Sequence, residues 1–329
     1  MPFSETEPFD LLQPHEPNSE QTQRRRRRYI IASCIVLLLL AGATAYYYTF
    51  CNVAMHSDAW TREHIDLAVR RGLDYLHASG AFGRSVDEGG ETPPHFLFLE
   101  QVLRRYEHAP LRTQIARAKE LNKRNVRWRM FLGMPGWPSD ELTPQDYANI
   151  AHAVNHWEEN FWAEWVLYGL YPGWTSLRPE EDMRLFQDTS LLADSYQLTH
   201  ALLTYLWMKK SNRIAAKERQ VDDRIREVNS RLWIAQSWDA FTSDIYNERV
   251  AFWLYMDEPP PIKRRWIERM ILSQNVDGGW TYEKSILRLL GQFVGYDAGT
   301  GKSSSHATFL ALYALAEYEG RLMAPPVSQ

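Results

Sequence analysis

The sequence predicts an all-α protein in which one membrane-spanning helix precedes a helical globular part. Three observations predict it. An uncharged apolar run extends from Tyr29 to Phe50, apolar residues recur three and four apart through most of the chain beyond that run, and alternating β-branched runs are scarce.

Residues 1–23 hold five carboxylates, four prolines and no Lys or Arg, with little to bury. With Arg24–Arg28 they read as a disordered cytoplasmic tail, residues 1–28, ending in an arginine cluster. Residues 29–50 then form a transmembrane signal anchor. At roughly 1.5 Å per residue this run extends about 33 Å, enough to cross the hydrocarbon of a bilayer. Tyr46, Tyr47 and Tyr48 stand at its far end, where amphipathic rings favour the headgroup layer. Arginines on one side only keep the N-terminus in the cytoplasm and send residues 51–329 across. Ala41-Gly42-Ala43 and Ala43-Thr44-Ala45 also fit a signal-peptidase site, so cleavage is the competing reading.

Cys34 and Cys51 are the two cysteines, one inside the apolar run and one at its edge. The exported domain beyond them therefore has no thiolate metal site, cysteine nucleophile or internal disulfide. The formal net charge of −4 is mixed in sign, since the five acids of the tail offset the arginine cluster. This excludes the basic surface expected of a nucleic-acid binder. No Asn-x-Ser/Thr triplet occurs, which points to a bacterial inner membrane and periplasm rather than a secretory lumen.

Within the domain, the spacing predicts helices near 60–78, 94–107, 110–131, 144–170, 181–209, 213–236, 239–256, 262–274 and 303–320. Gly89-Gly90, Pro135-Gly136, Pro172-Gly173, Pro259 to Pro261 and Gly278-Gly279 punctuate them. The 144–170 segment is apolar on one face. Segments 191–207 and 303–320 are apolar almost all round, which predicts an inner set of helices wrapped by an outer set.

Two stretches echo each other. Arg71-Gly72-Leu73-Asp74-Tyr75-Leu76 leads into Gly80-Ala81-Phe82, and Arg269-Met270-Ile271-Leu272 leads into Gly278-Gly279-Trp280. The second, Ser-Gln-Asn-Val-Asp-Gly-Gly-Trp-Thr-Tyr, resembles the Gln/Gly/Trp repeat of the squalene cyclase and protein prenyltransferase superfamily. Gly301-Lys302-Ser303-Ser304-Ser305-His306 is similar to that family's last repeat, in which a histidine opens an inner helix. The resemblance covers about 60 C-terminal residues. It implies an α/α toroid of helical hairpins around a central cavity, and says little about chemistry. The prenyltransferase zinc site would need Asp297, His306 and a cysteine, and the domain has no cysteine. The cyclase Asp-x-Asp-Asp acid is also absent. No metal or cofactor is therefore expected.

The candidate catalytic residues are His200, His306 and Asp297. His200 forms a polar stripe with Tyr196 and Thr204 on an otherwise apolar helix. Such a stripe either lines a cavity or is paired in the core. His306 opens a buried helix, where Lys302 and the serines after it could hold an anion or merely cap the helix. Tyr196, Thr204, Trp280 and Lys302 are the candidate ligand-binding residues. His152, His156 and Glu159 share one helix face at metal-ligand spacing, but that face is read as solvated.

Two functions fit. One is a binding or assembly module for an envelope complex, with an envelope protein as partner. The other is an enzyme acting on a glycan or lipid-linked substrate in the cavity. Acidic and aromatic groups gathered around His200 in a deep concave pocket would favour the enzyme, and a filled centre with an exposed apolar patch would favour the module.

Overall fold

A computed structural model of the chain describes residues 19–48, 57–129, 131, 134, 145, 148–149, 152, 161–171, 179–186, 195–211, 218–282 and 302–323. They are mostly helical. α1 (Ser19–Tyr46) contains one stretch, Gln23–Tyr46, long and apolar enough to cross a membrane. Its apolar side chains, Ile30 to Leu40 among them, point outward and bury nothing within the chain. The described helix takes in Ser19 to Arg28 as well as the apolar run, so Arg24–Arg28 ride on the same helix, and residues 1–18 lie outside the described residues. Without proline from Ser19 onward, nothing in the backbone stops the helix there.

The second unit carries α2 (Asp58–Ser79), α3 (Pro93–Leu103), α4 (Ala109–Asn122), α5 (Val126–Arg129), α6 (Phe161–Leu170) and α7 (Pro179–Phe186). It continues with α8 (Ser195–Lys210), α9 (Glu218–Trp238), α10 (Asp244–Tyr255), α11 (Arg264–Leu272) and α12 (Ser305–Met323). The expected 110–131 helix is split. Asn125 N–H bonds the Asn122 carbonyl, and the Asn125 side chain accepts from Trp128 N–H at 3.3 Å, restarting the helix as α5. The expected helix at 303 begins instead at Ser305. Ser303 and Ser304 pair antiparallel with Trp280 and Thr281, so β1 (Trp280–Thr281) and β2 (Ser303–Ser304) precede α12.

α12 is buried at every side chain from Ala307 to Ala316 and packs against α10, α2 and α3. All residues of α10 are buried as well. α8 packs between α6, α9 and α10. Gly169 of α6 makes the close approach possible, since a Cβ there would meet the Thr204 carbonyl at 2.8 Å. Inner helices buried on all sides, bordered by one-sided helices such as α9 and α11, realise the two classes that the apolar patterns predict. Thirteen of the 27 residues of the 144–170 segment, His156 and Glu159 among them, lie outside the described residues.

The two echoing stretches meet. The turn after α11 docks on α2: Arg71 donates to the carbonyls of Asn275 and Val276 at 3.0 Å each, and Gln274 donates to the Ala68 carbonyl at 2.8 Å. Gly278 has φ +90, and a Cβ there would meet the Arg71 carbonyl at 2.4 Å. Trp280 then inserts against Gly72, where a Cβ would meet its ring at 3.0 Å.

Gly278 and Gly80 both have positive φ, but nothing lies within 4 Å of a Cβ at Gly80. Gly80→Ala should cost about 1 kcal/mol from backbone conformation alone. Gly278→Ala should cost on the order of 3 kcal/mol, because the α2 backbone must also move. Chemical denaturation of the full chain in detergent compares the two, and equal losses would contradict the docking.

Candidate functional site

The polar residues that the inner helices bury converge at their N-terminal turns. Ahead of α3, Gly89-Gly90 ends a short helical turn, and Pro93-Pro94 fixes the next helix start. Glu91 and His95, one turn apart, form an ion pair there. The Ser305 hydroxyl, from the first residue of α12, donates to Glu91. His306 is the next residue, its ring 5.3 Å from that of His95 and 5.8 Å from that of Tyr282.

On the opposite wall, α8 supplies His200 and α10 supplies Glu248, with His200 Nδ1 3.6 Å from Glu248 Oε1. His200 Nδ1 also donates to the Tyr196 carbonyl at 3.0 Å, which fixes the tautomer with its lone pair on Nε2. The Tyr196 ring stacks on His200 at 4.1 Å. Asp244 and Asn247 share one face of α10 with Glu248, by helical spacing. Glu248 is 1% exposed, and its Oε2 makes no hydrogen bond among the described residues, whereas buried polar atoms normally find partners.

One to two turns further along, α3, α10 and α12 turn aromatic. Phe98 of α3 lies 4.5 Å from Tyr313 and 6.3 Å from Phe309, both on α12. It also lies 5.2 Å from Tyr255 on α10. These rings close the bottom of the polar layer. At the top, His95 and His306 are half-buried and Tyr282 is 50% exposed.

The environments drive the titrating groups apart. Burial raises Glu248 to about 8, helped by Asp244 and only partly offset by Thr199 and Arg249. Burial opposes the charge on Glu91, but His95, Ser305 and His306 outweigh it and hold that carboxyl down at about 2. Burial lowers His200 to about 4 against the pull of the Tyr196 carbonyl. Burial, reinforced by His95, lowers His306 to about 3. At neutral pH Glu248 is therefore protonated, His200 and His306 are neutral, and Glu91 is ionised.

Of the sequence candidates, His200, His306 and Tyr196 come together. Thr204 does not line the site: its hydroxyl donates to the His200 carbonyl at 2.8 Å, and the residue packs on Gly169. Trp280 is core, fully buried, with its indole N–H donating to the Met270 carbonyl at 2.8 Å. Lys302 is exposed at the end of β2, not folded over the helix start. The serines expected to cradle an anion are taken up by carboxylates, Ser303 donating to Asp277 and Ser305 to Glu91. Asp297 lies outside the described residues. His152 is exposed, and no His/Asp/Glu group among the described residues has metal-holding geometry.

Glu91, His95, Asp244, Glu248 and Tyr282 do not stand out in the sequence. Two of their spacings are legible there: Glu91/His95 and Asp244/Glu248 each stand four apart at the opening of an apolar helix. Comparison with protein-family models, curated proteins and solved structures finds no match for this chain.

The four shifts predict a stability optimum. From pH 2 to 4.5 the unfolded chain binds the extra proton at Glu91, and up to about 6.5 it binds extra protons at His200 and His306. Stability should therefore rise over that range, because the two histidines outnumber Glu248, which acts oppositely above 4.5. Between about 6.5 and 8 Glu248 acts alone, its proton held only in the folded state, so stability falls. Denaturation midpoints against pH should peak near 6.5, and Glu248→Gln should abolish the decline toward 8.

Proposed function

We propose that the chain is a membrane-tethered α/α-toroid enzyme that hydrolyses glycosidic bonds in a glycan or glycolipid on the outer side of the membrane. The observation that carries this reading is the buried Glu248 carboxyl beside His200, one of its oxygens unpartnered, in a site that also holds the ionised Glu91. Two carboxyl groups with opposed protonation are the pairing that glycoside cleavage needs. In this mechanism Glu248 gives its proton to the leaving oxygen as the C–O bond breaks. Glu91 takes a proton from the water that adds its oxygen to the anomeric carbon. His200, neutral beside Glu248, and His306, neutral beside His95, return the protons to their starting places.

Supporting the toroid is the pairing of like levels on the inner helices, His95 with His306 in the first turns of α3 and α12, His200 with Glu248 in the second turns of α8 and α10, and Phe98 with Phe309 further along. Supporting an exported site is the arginine cluster ahead of the apolar part of the Gln23–Tyr46 span. The aromatic layer that fills the centre favours a second reading, a non-catalytic assembly module whose buried polar turns are structural.

The full chain in detergent, incubated with neutral oligosaccharides and with glycolipid extract, should release shortened products detectable by mass spectrometry. Glu248→Gln should lower the rate about 10²- to 10⁴-fold. Activity of the parent should fall above pH 8 as Glu248 loses its proton. A Glu248→Gln protein as fast as the parent would leave the assembly module as the better account.

A further inference from the structure

Every charged group of the site lies below the surface, while the two tyrosines that touch its histidines do not. Tyr282 leaves the end of β1 half-exposed, with its ring 5.8 Å from His306 at 41°. Tyr196, partly exposed at the start of α8, covers His200 in the same manner at 4.1 Å and 41°. An exposed tyrosine placed over a buried acid cluster offers a flat apolar face with a polar rim, the surface that the C–H face of a sugar ring packs on. Tyr282 reaches the carboxyls through His306, whose chain neighbour Ser305 donates to Glu91.

We propose that Tyr282, with Tyr196, forms the subsite that holds an uncharged sugar ring over the buried carboxyls; this rests on the glycoside-cleaving reading and names its substrate class. The ring is uncharged because an anionic sugar would meet Glu91 and Asp244. Arg249, the cation beside Glu248, is turned away to Gln236 at 3.1 Å and Asp239 at 2.9 Å. Lys302 is exposed rather than directed at the carboxyls by any hydrogen bond or ion pair.

Titration calorimetry of the full chain in detergent, with chito-, cello-, malto- and xylohexaose as probes, tests this. At least one hexaose should bind the parent protein. Tyr282→Ala should weaken that binding about tenfold and Tyr196→Ala by a comparable factor. Tyr282→Phe, which keeps the ring, should bind within about twofold of the parent. Glu248→Gln should still bind. If no hexaose binds the parent, or if Tyr282→Ala binds as tightly as the parent, the subsite is overturned. Binding that depends on Tyr282 but gives no cleavage would overturn the catalytic reading and leave the subsite standing. Cleavage unaffected by Tyr282→Ala would do the reverse.

Discussion

The indole of Trp280 holds together the parts of the chain that make the site. Its N–H bonds the last turn of α11, its ring fills the space left by Gly72 on α2, and its backbone N–H donates to Thr308 of α12 at 2.9 Å. Two residues on, the chain delivers Tyr282 to His306. The start of α12, and with it Ser305 and His306, therefore sits where β1 allows. Asn275, Asp277 and Ser303 brace the same junction through hydrogen bonds of 2.6–2.7 Å. Fully burying a tryptophan contributes several times what one net hydrogen bond does. The polar contacts of this junction thus set position, and the ring supplies the adhesion.

The polar turns are costly by comparison. Burial of Glu248, Asn247 and His200 takes polar groups from water, and Asn247 finds no hydrogen bond for either end of its amide. A fold selected for stability alone would carry leucine at such positions. The helices instead become aromatic one to two turns further in, where Phe98, Tyr255, Phe309 and Tyr313 recover apolar contact. The division between a polar upper layer and an aromatic lower one repeats on helices from distant parts of the sequence.

Much of the architecture is legible in the chain because burial leaves a period. The all-round apolar patterns of 191–207 and 303–320 identify inner helices, and the uncharged run before them identifies the span. Helix boundaries are less legible where a side chain competes with the backbone, as Asn125 does between α4 and α5. The site is legible only in part. His200 and His306 stand out as isolated polar residues in apolar surroundings. Glu91 and Glu248 are single carboxylates in a chain rich in acids, and only their burial, a property of packing, distinguishes them. Trp280 and Thr204 show what the sequence does not display: the indole N–H is taken up by the Met270 carbonyl, and the Thr204 hydroxyl by the His200 carbonyl one turn back in its own helix.

The aromatic layer beneath the polar turns also restricts traffic. Phe98, Tyr255, Phe309 and Tyr313 pack against one another beyond the polar turns, so under the proposed chemistry a substrate would enter and leave on the His95 and Tyr282 side. A long polymer would then not be threaded past the carboxyls and cut as it passes. Under the proposed chemistry the enzyme would trim exposed termini or short branches, and each product would have to depart before the next end could arrive.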